Sequence, residues 1–491
     1  MVGTSFTRQE TVLLATILLT AFLARILLFP TLGCAGDMGA YVSWFQTAAD
    51  HGVRSFYAAV GWCDYPPFNV YIFWVFGSLA NTFSAWGIDP TYIVKLTPVV
   101  FDLATVTLLF VFLRKYLTLK QSLVGAAIYA FNPAVIYDSA VWGQFDAIYT
   151  FFLVLSLMLA IKSKPKFAAA AFAVSILTKP QGIALAPLLI YLIYQKNGLK
   201  NLLFSVGAFA ATVFAVILPL EWDNPFTFLS NMYFGEFGSY SYNSVNAFNF
   251  WGLFGMWRTD TGIFYVGWAL FGVFTALALY MLNKKSAVLR NWDFLAIYVA
   301  FMLFFAFFMW PTRIHERYLF PAVAMLALMF PLMKKTRVLY AGLTATFFAN
   351  LSYVLYWLNY SAYNNTGNLD ISGHPVVLLV SIVNIVLFAY ATTLVLLELR
   401  SNDGSYLIRS SAHAFPKIIT QPEAKGPCGN VCVVEVKDLT RKGLDTSCQD
   451  NFLTDTIKCR LKKGQLGAVP LDINKNYPLN LQDSYFIMLF A

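Results

Sequence analysis

The 491-residue chain is 58% hydrophobic and only 12% charged, with a mean hydropathy of +0.62, far outside the averages of soluble globular domains. Its net charge of +9 is not a nucleic-acid signature, because Lys and Arg concentrate in short segments between apolar runs, where they orient membrane helices. Aromatic residues make up 17% of the chain, including 12 Trp and 27 Tyr, which suits a protein with many rings at the membrane interface.

Apolar runs of about 17 to 24 residues recur and read as an all-α polytopic membrane protein. Spans are expected near 11–30, 93–113, 121–137, 147–162, 167–178, 180–195, 201–220, 263–283, 291–310, 316–333, 337–357 and 375–398. The first ends in ARILLFP, without a small-residue cleavage site, so no cleavable signal peptide is expected. Basic clusters at Arg114/Lys115/Lys120, Lys162/Lys164/Lys166, Lys196/Lys200, Lys284/Lys285/Arg290 and Lys334/Lys335/Arg337 are placed in the cytoplasm by the positive-inside rule. Counting 68–83 as a span would move the Arg114 cluster to the other side. That segment is short, opens on Pro66-Pro67 and carries Asn69, Gly77 and Asn81, so it reads as interfacial or re-entrant. The expectation is about twelve spans, both termini inside, and interfacial helices in a first outer loop at 31–92.

That topology turns 31–92, 138–146, 178–181, 221–262, 311–316 and 358–374 to the extracytoplasmic side, and nearly every unusual polar residue lies in them. A site assembled from loops at one membrane face is the natural inference. The membrane domain is expected over 1–399. From 400 to 491 the composition becomes that of a linker and a small soluble or poorly ordered tail. The tail cysteines Cys428, Cys432, Cys448 and Cys459 do not match a zinc spacing.

In the first loop Asp37 opens MGAYVSWFQTAAD, where Tyr41, Trp44, Phe45 and Ala48 fall on one helical face, an amphipathic helix on the membrane ending near Gly52. Asp37 reads either as its N-cap or as a general base, and the two are compatible. Cys34 and Cys63 bracket the loop as a disulfide or as two thiols. Asp64 and Tyr65 begin D-Y-P-P-F, an extended turn into 68–83. Asp102 lies at hydrocarbon depth, with Lys95 as a candidate ion-pair partner on the same helix.

Residues 132–146, NPAVIYDSAVWGQFD, gather Asp138, Trp142, Gln144 and Asp146 beside the membrane, a carbohydrate-contact rim or an ordinary helix end. Lys179 in SILTKPQG is either a solvated turn lysine or an anion binder. PTRIHERY brings Arg313, His315, Glu316 and Arg317 together, where two guanidiniums suit phosphate oxygens and Glu316 is the competing structural partner. The Tyr-, Asn- and Trp-rich 221–262 segment fits a sugar or lipid groove or a plain interfacial belt. HExxH, Walker A and GxSxG motifs are absent. Asn359 and Asn364 head N-x-S/T sequons.

The order of these pieces resembles the GT-C superfamily of polyprenyl-phosphate-sugar-dependent glycosyltransferases. The nearest likeness is to the dolichyl-phosphate-glucose glucosyltransferases and to bacterial and archaeal mannosyltransferase-like relatives. The likeness rests on Asp37 heading the first-loop helix, Asp64 to Pro67, the stretch from Asn132 to Asp146, and His315-Glu316 followed by Pro321. Together these cover roughly residues 11 to 335. The family's His-Phe-Gln-Tyr-Asn stretch is Trp142-Gly143-Gln144-Phe145-Asp146 here, and its HEK is His315-Glu316-Arg317.

The resemblance implies an inverting hexosyltransferase using a polyprenyl-phosphate sugar donor and a glycan, lipid or protein acceptor at the extracytoplasmic face of the bilayer. Asp37 is then the base. Lys179, Arg313, His315, Glu316 and Arg317 hold the phosphate side. Asp64, Tyr65, Asp138, Trp142, Gln144 and Asp146 contact sugar or acceptor. No metal or other cofactor is expected, because the cations stabilise the leaving phosphate. The rival reading is a transporter or lipid flippase, which would place its polar groups near the bilayer midplane on broken helices.

Overall fold

The computed structural model describes residues 6–220, 224–235, 238, 240–286, 289, 292–366, 370–401 and 406–408, together with three short strands within 432–469. It divides into two units, Met1–Pro416 and Lys417–Ala491. The first unit is helical: α1 Arg8–Ile26, α2 Ala35–Ala59, α3 Phe68–Ser84, α4 Pro90–Leu113, α5 Leu119–Ala130, α6 Pro133–Ile136 and α7 Asp146–Ile161 open it. α8 Pro165–Ile176, α9 Ala186–Ile217, α10 Pro225–Ser230, α11 Phe264–Ser286, α12 Asp293–Met309, α13 Phe320–Met329, α14 Thr336–Asn364 and α15 Pro375–Arg400 complete it. In the second unit β1 Cys432–Val433, β2 Ile457–Leu461 and β3 Leu466–Val469 form an antiparallel sheet, with Ile457 opposite Val469 and Cys432 opposite Leu461. Most of the expected linker after residue 400 lies outside the described residues, as do Cys428 and Cys448.

Among the described residues six helical stretches are long and apolar enough to cross a membrane: α1, α4, Pro180–Ile217, α11, α14 and α15. The expected count of about twelve is therefore not reached by length. At 1.5 Å per residue, the 12 residues of α8 and the 10 of α13 give about 18 and 15 Å, against about 30 Å of hydrocarbon. The apolar run at 180–220 bends once, at Gly198, whose φ of 76° a residue with a Cβ rarely adopts.

α12 and α13 form the centre. Every side chain from Phe294 to Met309 and from Phe320 to Met329 is buried, as a helix apolar all round requires. The basic segments gather at one end of the surrounding helices. Lys196 donates to Asp293 Oδ1 at 2.8 Å and to the Ile161 carbonyl at 2.7 Å, while the Tyr116 hydroxyl reaches Asp293 Oδ2 at 3.0 Å. At that end Glu10, held in a capping box with Thr7, also meets Arg114 Nε at 2.6 Å.

Lys95 does not pair with Asp102. Its ammonium caps the Phe29 and Thr31 carbonyls at 3.0 and 2.5 Å, at the end of the first helix. Asp102 takes its cation from that helix instead: Arg25 Nε lies 3.2 Å from Asp102 Oδ2, and both side chains are fully buried. Ser139 and Tyr129 donate to the same carboxylate at 2.7 and 3.2 Å, and Arg25 Nη1 donates to the Ala130 carbonyl at 2.8 Å. One buried ion pair thus joins α1, α4, α5 and the turn after α6.

The α2 face bearing Tyr41, Trp44, Phe45 and Ala48 is buried inside the protein rather than laid on lipid. It packs on α3, and a Cβ on Gly77 would overlap the Phe45 carbonyl, so the two backbones touch there. α2 also passes Gly52, where it kinks at φ 71°, and continues to Ala59 instead of stopping.

Removing one partner of a buried ion pair leaves the other charge uncompensated, at about 3–5 kcal/mol. Arg25→Met and Asp102→Leu should each lower the melting temperature in detergent sharply, and the double substitution should recover most of the loss. Scanning fluorimetry of the three variants checks this, and single variants as stable as the parent would refute it.

Candidate active site

Asp37 sits in the first turn of α2, but it is not the cap. Cys34 holds the N-cap position and makes no side-chain cap bond. Gly33, at φ 67°, turns the chain beneath the Val141 and Trp142 carbonyls. Asn359 pins this entry from α14, donating to the Gly33 carbonyl at 2.6 Å and accepting from the Ala35 amide at 3.3 Å. Asp37 Oδ2 then accepts from Trp142 Nε1 at 2.9 Å and from Gln144 Nε2 at 2.7 Å. Among the described residues its Oδ1 accepts no side-chain bond, and Asp37 is half-buried.

Gln144 passes the connection inward. Its Oε1 accepts from the Tyr41 hydroxyl at 3.0 Å and the Tyr65 hydroxyl at 3.5 Å, and those hydroxyls are 3.1 Å apart. Asn132 supports the stretch from below as the N-cap of α6, and it also donates to Tyr340 and Thr344 of α14 at 2.8 and 2.7 Å. From Tyr137 to Trp142 the chain forms a π-helical turn closed by Gly143 at φ 84°.

A charged layer lies behind. Lys179 Nζ is 2.7 Å from Asp146 Oδ2, and Arg317 Nε is 3.7 Å from the same oxygen. Arg317 Nη1 donates to Glu316 Oε1 at 2.7 Å, and His315 Nδ1 stands 4.0 Å from Glu316 Oε2. Burial lowers the Lys179 pKa, an effect that Asp146 opposes. Burial, then the positive charges of Arg317 and Lys179, hold His315 well below the usual imidazole range, so it is neutral at pH 7. Burial raises the Glu316 carboxyl, and the Asp37 charge is close enough to add to that.

Arg313 is committed to a residue with no sequence motif around it. Its Nε and Nη2 reach Asp260 at 2.7 and 3.3 Å, and Thr312 donates to the same carboxylate at 2.8 Å. The 240–260 loop is threaded against 313–315: the Arg313 amide donates to the Tyr242 carbonyl, and the Val245 amide to the Ile314 carbonyl, both at 2.9 Å. Its asparagines serve this packing rather than a groove. Asn243 donates to the Gly255 carbonyl and Asn249 to Phe308, while Asn350 and Asn384 hold the Asn246 and Phe248 carbonyls.

A cavity of about 230 Å³ opens on these groups. Its polar wall is Asp64, Tyr65, Lys179, Gln181, Arg313, His315 and Arg317, and its apolar wall includes Ile183, Trp268 and Phe307. Asp138, Trp142, Gln144, Asp146 and Glu316 are 0–1% exposed and do not line it, so the expected open rim is a buried support layer. Asp37 is also off the wall, linked to it through Gln144 and Tyr65. Among the described residues no group of three or more His, Cys, Asp or Glu is arranged to hold a metal.

No protein-family model matches the chain, and no curated protein sequence matches it. Among solved structures it is similar to ArnT from Cupriavidus metallidurans bound to undecaprenyl phosphate, at a TM-score of 0.46 and 16% identity over 80% of this chain and 78% of that one. It is also similar to the Archaeoglobus fulgidus oligosaccharyltransferase tethered to an acceptor peptide, at a TM-score of 0.35 and 13% identity. That match covers 80% of this chain and 58% of the other.

Three supports were missed in the sequence: Asp260, Asn69 and Asn359. Asn69 had a signal, being an amide inside an apolar helix. It donates to the Pro66 and Thr178 carbonyls at 3.0 and 2.7 Å, joining the D-Y-P-P turn to the Lys179 turn. Asp260 and Asn359 had none, because each partner is distant in sequence.

Cys34 and Cys63 are thiols rather than a disulfide, and the Cys63 thiol donates to the Tyr65 carbonyl at 4.0 Å. Burial and the neighbouring Asp37 charge push the Cys34 thiol up to about 11, leaving on the order of a thousandth of it as thiolate at pH 8. Maleimide at pH 8 should therefore modify half-exposed Cys63 and spare Cys34. Peptide mapping checks this, and equal labelling of both would refute it.

Proposed function

We propose that the chain is an inverting glycosyltransferase that moves a hexose from a polyprenyl phosphate to an acceptor hydroxyl at the extracytoplasmic membrane face. The observation that carries this reading is the cavity: its wall holds Lys179, Arg313 and Arg317, and a fixed carboxylate stands two hydrogen bonds away. Cations converging on a partly enclosed space suit an anionic group, and an oriented carboxylate suits proton removal.

In this reading the acceptor oxygen attacks the anomeric carbon as its proton passes to Asp37 Oδ1. The bond from that carbon to the phosphate oxygen breaks with inversion, and the electron pair leaves on the lipid phosphate. Trp142 and Gln144 fix Asp37 by its other oxygen, so the receiving oxygen keeps its direction. The departing phosphate gains charge, which Lys179, Arg313 and Arg317 offset. Neutral His315 contributes a ring to the wall without a competing charge. The Asp64 and Tyr65 positions suit contact with the sugar.

A transporter or flippase would move lipid without consuming it. Incubation of the purified protein with radiolabelled polyprenyl-phosphate hexoses and a lipid and glycan extract supplying acceptor hydroxyls should show donor consumption, and its absence with every hexose would overturn the proposal. Asp37→Asn should lower transfer on the order of 10²–10⁴-fold while lipid-phosphate binding persists; near-normal turnover by this variant would remove Asp37 as the base. Lys179→Met should lower turnover about 10²-fold or more, measured in the same assay.

A further inference from the structure

Asp138 is fully buried, and neither of its carboxyl oxygens has a hydrogen-bond partner among the described residues. It lies on the π-helical turn Tyr137–Trp142, a geometry that accommodates an inserted residue and often marks function. The charged groups facing it come from each element around that turn. α4 supplies Asp102, which is already committed to Arg25, Ser139 and Tyr129. The start of α7 supplies Asp146, the turn after α8 supplies Lys179, and the 3-10 turn Glu316–Leu319 supplies Arg317. α14 carries only Arg337, which is held at the Phe330 carbonyl.

Asp146 is the informative neighbour. Its Oδ2 serves both Lys179 and Arg317, while its Oδ1 is buried without a hydrogen bond among the described residues. Both cations also line the cavity. An anion there competes with Asp146 for them, and a buried carboxylate losing its cations needs another donor. A carboxyl with no donor of its own is far less costly as the neutral acid than as an anion, and burial beside Asp146 favours that form. The charges agree: Asp146 and Glu316 balance Lys179 and Arg317, whereas an ionised Asp138 would tip the layer negative and repel phosphate.

We propose that Asp138 is a positioning residue held as the neutral acid, and that its O–H becomes the donor to Asp146 when an anion in the cavity draws off Lys179 and Arg317. This rests on the lipid-phosphate reading above. No bond to substrate is involved, and the proton stays on the carboxyl pair.

The test uses the full chain in nanodiscs and undecaprenyl phosphate as the probe. Asn offers an N–H where the acid offers O–H, so Asp138→Asn should bind within about threefold of the parent, and Asp138→Leu should lose about tenfold or more. Raising the pH until the Asp138 carboxyl ionises should weaken the parent more than Asp138→Asn, because only the parent gains a charge at this position. Infrared spectra of the unliganded parent should contain a protonated-carboxyl carbonyl stretch that Asp138→Asn lacks. If Asp138→Leu does not fold, the Asn variant and the infrared band still decide. Absence of that band, or a loss in Asp138→Asn as large as in Asp138→Leu, overturns the role of Asp138 and leaves the donor reading intact. Failure of the parent to bind the lipid phosphate at any pH overturns both.

Discussion

The Gln144 side chain joins the two halves of the site, and much of the surrounding structure keeps it in place. Its amide nitrogen holds Asp37 and its oxygen receives the Tyr41 and Tyr65 hydroxyls, so one side chain links α2, the D-Y-P-P turn and the start of α7. A buried amide with both ends satisfied specifies geometry, and one left half-paired would cost about as much as several surface contacts supply. The left-handed Gly143 before it, the Asn132 cap below it and the aromatic packing of Tyr41, Phe145 and Phe73 around it all maintain that orientation.

Two arrangements of charge serve different ends of the molecule. Asp102 has both oxygens bonded, to Arg25, Ser139 and Tyr129, and Arg25 adds carbonyl bonds through Nη1, so the pair welds helices together. The layer around Asp146 is shared instead, with two cations on one oxygen and, among the described residues, no hydrogen bond to the other. A carboxylate with both oxygens bonded resists change, whereas a shared one can be repartitioned by an incoming charge. The contrast separates scaffold from candidate chemistry more clearly than burial does.

The helical class and the gathering of polar residues at one end were legible because apolar run length and loop charge are local properties. Short helices were not legible as such: a run like 167–178 has the composition of a span and lacks only length. Pairings across the fold were hidden for the same reason. Nothing near Asp102 named Arg25, and Lys95, two turns away on the same helix, was the more obvious partner. The candidate site was half legible. Lys179, Arg317 and Tyr65 do meet at a cavity, but the sequence could not show that Asp138, Trp142 and Asp146 turn inward behind it.

The clamp made by Asn359 bears on the surface chemistry of this protein. Both ends of its amide are spent on the backbone at Gly33 and Ala35, which sets where α2 begins. A glycan on that nitrogen would replace one of its two hydrogens and wedge bulk into the entry of the helix that carries Asp37. The neighbouring sequon at Asn364 is exposed and reaches back only to its own helix, at the Tyr360 carbonyl. In a host that glycosylates such sites, a sugar at Asn359 competes with the seating of α2, whereas one at Asn364 does not.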